Sequence, residues 1–331
     1  MNNLVAIVPL LVLASTQGVL TGIFGAPNIV ATMIASRAMG PRRALVLSTL
    51  AQLLGPFMFG VAVASVVGSE VVDTHGLTPR VLYAALSGTI LWMIFSWYVR
   101  IPSSSTHAVI GGLVGAVFAA LGPSAIHSAG LLKVLLSLTI SAPIGILGGF
   151  LMVRLCYWLT QNATPRINRR FNQGQLVASF GLGLAIGSIN AQNAMGVVAL
   201  GLVLTGFLPH FEIPTWVVAL TAVGLAVGNM IGGMRLIRTM GTRFFQVRPI
   251  HGFSAEVAST IILIVSSLIG GNVSTTHVTG LSIVGAGAAE RPSMVRWNFV
   301  GHVLLTWALT IPLTAVVASL VYFALKELGI Q

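Results

Sequence analysis

The chain has 331 residues, of which 56% are apolar and only 7% charged, with a net charge of +11 and a mean hydropathy of +0.95. A soluble domain devotes roughly a quarter of its residues to charge, so the composition excludes a water-soluble globule and points to an integral membrane protein embedded in a lipid bilayer. The positive charge does not indicate nucleic acid: arginines fall in short clusters between apolar spans, the pattern of cytoplasmic loops, and the single cysteine, Cys156, excludes an intrachain disulfide framework.

The N-terminus lacks a basic region before its apolar run, so it is expected to be a first membrane segment and not a cleaved signal. That segment ends at Arg37, Arg42 and Arg43. A second span within 44–68 leads to an outer loop with Glu70, Asp73 and His75, and a third covers Val81 to Tyr98. Arg100 follows, and then Pro102-Ser103-Ser104-Ser105-Thr106-His107, where proline should stop the helix. The run Ala108 to Leu121 is too short to cross a bilayer and suits a re-entrant half-helix. A long span over 128–158 closes the first half at a basic loop with Arg166, Arg169 and Arg170.

The second half repeats this order. Spans over 174–208 and 214–234 precede a basic loop from Arg235 to Arg248. Phe253 to Gly270 then leads into Asn272-Val273-Ser274-Thr275-Thr276-His277, a short run Val278 to Ala289, and a last span ending near Leu325. A second pattern recurs in the same order: Gly-x-x-x-Ala-x-Asn starts at Gly22 and again at Gly187. Two patterns recurring together indicate a duplication. The expected fold is therefore all-α and membrane-integral, with two inverted repeats, broken helices and two re-entrant helical hairpins. The expected boundaries are 1–160 for the first repeat, 161–173 for a basic cytoplasmic linker and 174–331 for the second, with both termini outside. A bacterial inner membrane is the expected location.

The repeated clusters carry the chemistry. A helix start exposes N–H groups without internal partners and bears partial positive charge. Hydroxyls placed there make a donor-rich site able to hold a tetrahedral oxyanion; the bland role is simple capping. Glu256 is the one carboxylate expected deep in a span, so it is a candidate for coupling. His107 and His277 suit packing better than proton transfer. Pro27 should break the first helix and free carbonyls, while Asn28, Asn190, Gln192 and Asn193 offer donors and acceptors. Trp92 and Trp97 suit packing or interface anchoring. No nucleophile–base pair or metal-ligand spacing stands out, so neither an enzyme nor a bound metal is expected.

At these residues the sequence resembles the inorganic phosphate transporter (PiT) family, whose members are sodium- or proton-coupled. The matching segments run from Pro102 to Gly115, Val273 to His277, Ile231 to Gly241 and Gly252 to Glu256, with Ala191, Gln192, Met195 and Gly196 in support. The resemblance implies phosphate held among Ser104, Ser105, Thr106, Ser274, Thr275 and Thr276, with Asn28 and Gln192, and a homodimer. Glu256, Asn190 and Asn193 are the expected positions for a coupling ion or proton, Na+ or H+. Departures bear on that coupling: the two signature aspartates align with Gly25 and Asn190, a lysine with Asn193, a membrane asparagine with Met93, and a hairpin proline with Asn272. Weakened or absent coupling, another oxyanion such as sulfate, and a transport-inactive receptor or scaffold are the alternatives left open.

Overall fold

The computed structural model describes residues 3–65, 71–72, 76–99, 101–164 and 166–330. Twelve α-helices fill these segments: α1 (Asn3–Ala35), α2 (Pro41–Leu54), α3 (Ala62–Ser65), α4 (Pro79–Tyr98), α5 (Ser105–Leu121), α6 (Ser128–Leu159), α7 (Ile167–Leu204), α8 (Thr215–Ile231), α9 (Met234–Thr242), α10 (Pro249–Leu268), α11 (Thr275–Glu290) and α12 (Trp297–Glu327). Six of them, α1, α4, α6, α7, α10 and α12, are long and apolar enough to cross a membrane. At 31 residues, α12 extends roughly 46 Å, more than the ~30 Å hydrocarbon core. The external loop with Glu70, Asp73 and His75, and Arg100, lie outside the described residues.

Two helical hairpins organise the molecule. The chain entering α4 and the chain leaving α5 touch: Val72 pairs with Ile126, and His127 N donates to Val71 O at 3.0 Å. The α4–α5 pair thus starts and finishes at one end of the protein, with its tip at Ile101–Ser104. The α10–α11 pair does the same at the other end, where Arg248 forms an ion pair with Glu290 and Arg296 N donates to Phe244 O at 3.0 Å. The arginine-rich segments around residues 37–43 and 235–248 share that second end, because Gly241 packs on Ala31 and Ala35. Both ends of the described chain lie at the first end: Tyr83 donates to Ala6 O and Arg80 to Ile330 O.

Each hairpin's short helix is clasped by a long helix from the other half of the sequence. α5 packs on α4 and α12, and α11 on α10 and α6; likewise α1 packs on α8, and α7 on α2. Small residues make the approach possible. A Cβ on Gly115 would stand 2.1 Å from Ala315 O, one on Gly149 2.0 Å from Ser282 O, and one on Gly285 2.0 Å from Ile146 O. The outward faces of α6 and α12 expose Leu132, Leu136, Leu151, Leu305, Leu313 and Leu320, as lipid contact requires. The second half of α7, Leu182–Leu202, is by contrast buried almost throughout.

Four expectations need correction. The segment 44–68 is not one span: α2 stops at Leu54, and a 3-10 turn at Gly55–Phe57 with Pro56 in its first turn diverts the chain. α1 stays helical through Pro27, since proline removes a single N–H and packed neighbours absorb the local distortion. The basic linker 161–173 is helical from Ile167 onward, where α7 begins, because Phe171 packs at a tilt against Phe253 and is buried beside Ile250 and Cys156. Residues 235–248 are not all loop, for Leu236, Ile237 and Met240 bury one face of α9.

The helix clasp predicts a sharp contrast among glycines. Gly149→Val and Gly115→Val should each destabilise the detergent-solubilised protein by about 3 kcal/mol through overpacking. Gly301→Ala, whose Cβ would meet nothing within 4 Å, should leave the thermal midpoint unchanged or slightly raised; differential scanning fluorimetry measures all three.

Candidate functional site

The hairpin tips meet in the middle of the protein. Ser104 caps α5, its Oγ accepting from His107 N at 3.3 Å, and Ser274 caps α11 in the same way from His277 N at 3.2 Å. The two cap hydroxyls also bond each other, Ser104 Oγ to Ser274 Oγ at 2.9 Å. Two helix N-termini, each bearing about half a positive charge, therefore face one another through hydroxyl groups. His107 Nδ1 holds Ser104 Oγ at 2.7 Å. The His107 and His277 rings lie 4.5 Å apart, and Trp307 stacks on His277 at 3.9 Å. The histidines thus brace the tips. Trp92 Nε1 donates to Ser103 Oγ and Trp307 Nε1 to Pro102 O, fixing the first tip to α4 and α12.

The repeated asparagines cross-link the tips to α1 and α7. Asn28 Nδ2 donates to Thr276 Oγ1 at 3.1 Å, and Asn193 Nδ2 to Thr106 Oγ1 at 3.2 Å. Each asparagine reaches the hairpin of the opposite half. Thr275 Oγ1 donates to Asn190 Oδ1 at 3.3 Å. Asn28 Oδ1 and Asn193 Oδ1 are buried with no hydrogen-bond partner. Asn272, at the second tip, leaves both its amide nitrogen and its oxygen unpartnered. Ser105 is buried beside these groups.

Of the residues expected to act together, the structure gathers Ser104, Ser105, Thr106, Ser274, Thr275, Thr276, Asn28, Asn190 and Asn193, but not Gln192. The Gln192 oxygen accepts from Val63 N at 2.9 Å, and its nitrogen donates to Ser188 and Ser267 at 2.9 and 3.0 Å. Its amide is spent tying α7 to α3 and α10. Glu256, on α10, stands apart from the tips, beside Thr32 of α1. Its Oε1 accepts from Thr32 at 2.5 Å and from Gln175 at 2.9 Å, while its Oε2 has no partner. Thr32 lies one turn beyond Asn28 on the same face of α1, so carboxyl and tips share one buried polar stripe. Among the described residues, no cluster of His, Cys, Asp and Glu could hold a metal ion.

Sequence motifs did not mark Gln52 and Asn229. Both are fully buried, and Gln52 Nε2 donates to Asn229 Oδ1 at 2.8 Å. Their one sign in the sequence is an amide standing alone in an apolar helix, a costly placement that asks for a purpose.

The tip-to-tip bond carries a stability prediction. Ser104→Ala and Ser274→Ala should each cost about 0.5–2 kcal/mol as lost caps. The double variant should cost less than the sum, with a coupling of about 0.5 kcal/mol or more, because each single change also breaks the shared bond. Denaturation midpoints of the four proteins test it.

Comparison with known proteins is consistent throughout. The family model described as "Phosphate transporter family" matches residues 21–318. The chain is 38% identical over 307 residues to a "Probable low-affinity inorganic phosphate transporter" of Rhizobium meliloti, covering 92% of each chain. A protein of the same description from Bacillus subtilis is 32% identical over 311 residues, covering 93% of each. A solved structure titled "The sodium-dependent phosphate transporter" superposes with a TM-score of 0.90 at 20% identity, covering 98% of this chain and 99% of that one.

Proposed function

The chain belongs to the phosphate transporter family, and on that premise we propose that it moves inorganic phosphate across the membrane by alternating access at the paired hairpin tips. The observation that carries the site is the meeting of two capped helix starts at Ser104 and Ser274. A phosphate entering between them replaces that hydroxyl–hydroxyl bond with contacts from Ser104, Ser105, Thr106, Ser274, Thr275 and Thr276. The two helix termini together supply about one unit of positive charge. That suits an anion that must bind and then leave, where fixed arginines would retain it.

In the orientation in which the Asn28 and Asn193 nitrogens donate to Thr276 and Thr106, their free oxygens favour phosphate over sulfate; turning either amide over would remove that preference. At neutral pH phosphate carries at least one P–O–H group and can donate to a buried acceptor. Sulfate carries no proton and leaves both acceptors unpaired, a mismatch that sites built for hydrogen bonding reject strongly.

The two halves act as inverted repeats, 1–160 and 174–331, with α4–α5 and α10–α11 re-entering the membrane from opposite faces. The counterpart packing of α5 on α12 and α11 on α6 supports this arrangement. Rocking of one half against the other would expose the tips alternately to each side. The arginine-rich end faces the cytoplasm of a bacterial inner membrane, leaving both termini outside. Glu256, whose Oε2 has no hydrogen-bond partner, takes the coupling proton, with Asn190 and Asn193 at the tips as the further coupling positions. The family resemblance supports a homodimer.

Radiolabelled phosphate uptake into proteoliposomes tests the function. Uptake should be inhibited by excess arsenate, a protonated tetrahedral anion, and not by sulfate. Ser105→Ala combined with Thr275→Ala should reduce phosphate uptake at least tenfold. Uptake that sulfate blocks as well as arsenate does would overturn the assignment of phosphate. Glu256→Gln should remove stimulation by an inward proton gradient while phosphate-for-phosphate exchange persists; undiminished stimulation would remove Glu256 from coupling.

A further inference from the structure

At 14 residues α2 extends roughly 21 Å, less than the thickness of a bilayer core, and its two faces are unlike. Ala44, Ser48, Ala51 and Gln52 are buried on the side that packs against α7 and α8. On the other side Val46, Leu50 and Leu54 are about half exposed, and their spacing of four residues sets them in one row along the helix. Arg42 begins that row one turn before Val46, with Arg43 beside it; both are exposed. The surface is concave at this end. Met39, Arg42, Arg43, Val46, Leu47 and Leu50 line a cavity of about 340 Å³.

The two guanidinium groups have no counter-charge. Among the described residues neither Arg42 nor Arg43 forms an ion pair. The described acids are engaged or distant. Glu256 is buried against Thr32 and Gln175, and Glu290 holds Arg248 and His251. Glu212 lies against His210, while Glu327 is in the last turn of α12, near Ile330 at the opposite end. A second copy of the chain in the same membrane orientation would bring the same acids, equally engaged. The balancing charge must come from another kind of molecule.

We propose that this surface binds an anionic phospholipid, its phosphate held by Arg42 and Arg43 and one acyl chain laid along Val46, Leu50 and Leu54. The charges match, because a guanidinium fork pairs with phosphate oxygens in two parallel bonds. The length matches as well. From Arg42 to Leu54 the helix rises roughly 18 Å, close to one leaflet of a ~30 Å hydrocarbon core. The arginine-rich end places these side chains where an anionic leaflet presents its headgroups, with the arginine stems lying on the apolar row. A free phosphate ion would use the guanidinium groups alone and leave the row bare. The site lies on the lipid face, away from the hairpin tips, and does not depend on which ion the tips carry.

Native mass spectrometry of the purified, detergent-solubilised full chain, titrated with long-chain phosphatidylglycerol, tests the site. Arg42→Gln combined with Arg43→Gln should weaken binding by about tenfold or more. Arg169→Gln combined with Arg170→Gln removes the same charge from another exposed pair and should change binding by less than twofold. Leu50→Asn should weaken the long-chain lipid at least twofold and leave a short-chain phosphatidylglycerol unaffected. Equal losses from the two arginine pairs would reduce the effect to overall charge and overturn the site. Phosphatidylcholine bound as tightly as phosphatidylglycerol would overturn it too, and displacement of the lipid by millimolar inorganic phosphate would mark a free-ion site instead. A lipid-free dimer that only the Arg42 and Arg43 changes dissociate would give the face to a second copy and refute the lipid.

Discussion

Two helix N-termini brought head to head inside an apolar protein impose the constraint on which the rest depends. Each start leaves backbone N–H groups without helical partners, and in a membrane interior every unsatisfied group costs several kcal/mol. Ser104 and Ser274 resolve this by capping their own helices and bonding each other at 2.9 Å. The same groups that satisfy the tips are the ones an incoming oxyanion would use. At the proposed site, stability and binding would therefore compete for one set of hydroxyls.

The constraint also explains the surrounding packing. Two short helices can meet tip to tip only if something holds each from the side, and the long helix of the opposite half does this. Gly149 on α6 and Gly115 on α5 let backbones come within reach of carbonyl oxygens, where any side chain would force them apart. Trp92, Trp307 and the paired histidines fill the remaining space, and Trp92, Trp307 and His107 fasten the first tip through their ring nitrogens. The outcome is a rigid clasp around a polar centre, with leucines left on the outside for lipid.

The centre contains polarity but little fixed charge. Hydroxyls and amides predominate at the tips, and the carboxyl of Glu256 stands apart on α10, held by Thr32 and Gln175. Where relatives are expected to carry acid at position 25, this chain has a glycine, and the amide of Gln52 fills the space.

Much of this was legible in the sequence. Composition settled membrane residence, because so few charges cannot coat a globule. The paired Ser/Thr-Thr-His clusters and Gly-x-x-x-Ala-x-Asn segments marked the tips and their asparagine partners, since capping and helix interruption are local effects with local signatures. Other features required the tertiary structure. Pro27 leaves α1 unbroken, and 44–68 is not a single helix, because neighbouring helices decide whether a proline distorts or stops the chain. Gln192, identical in type to a useful donor, is consumed by Val63, Ser188 and Ser267. Gln52 and Asn229 gain their meaning only across 177 residues of sequence. Local propensity is written in neighbouring residues, whereas the occupancy of a hydrogen-bonding group depends on which distant helix the fold brings against it.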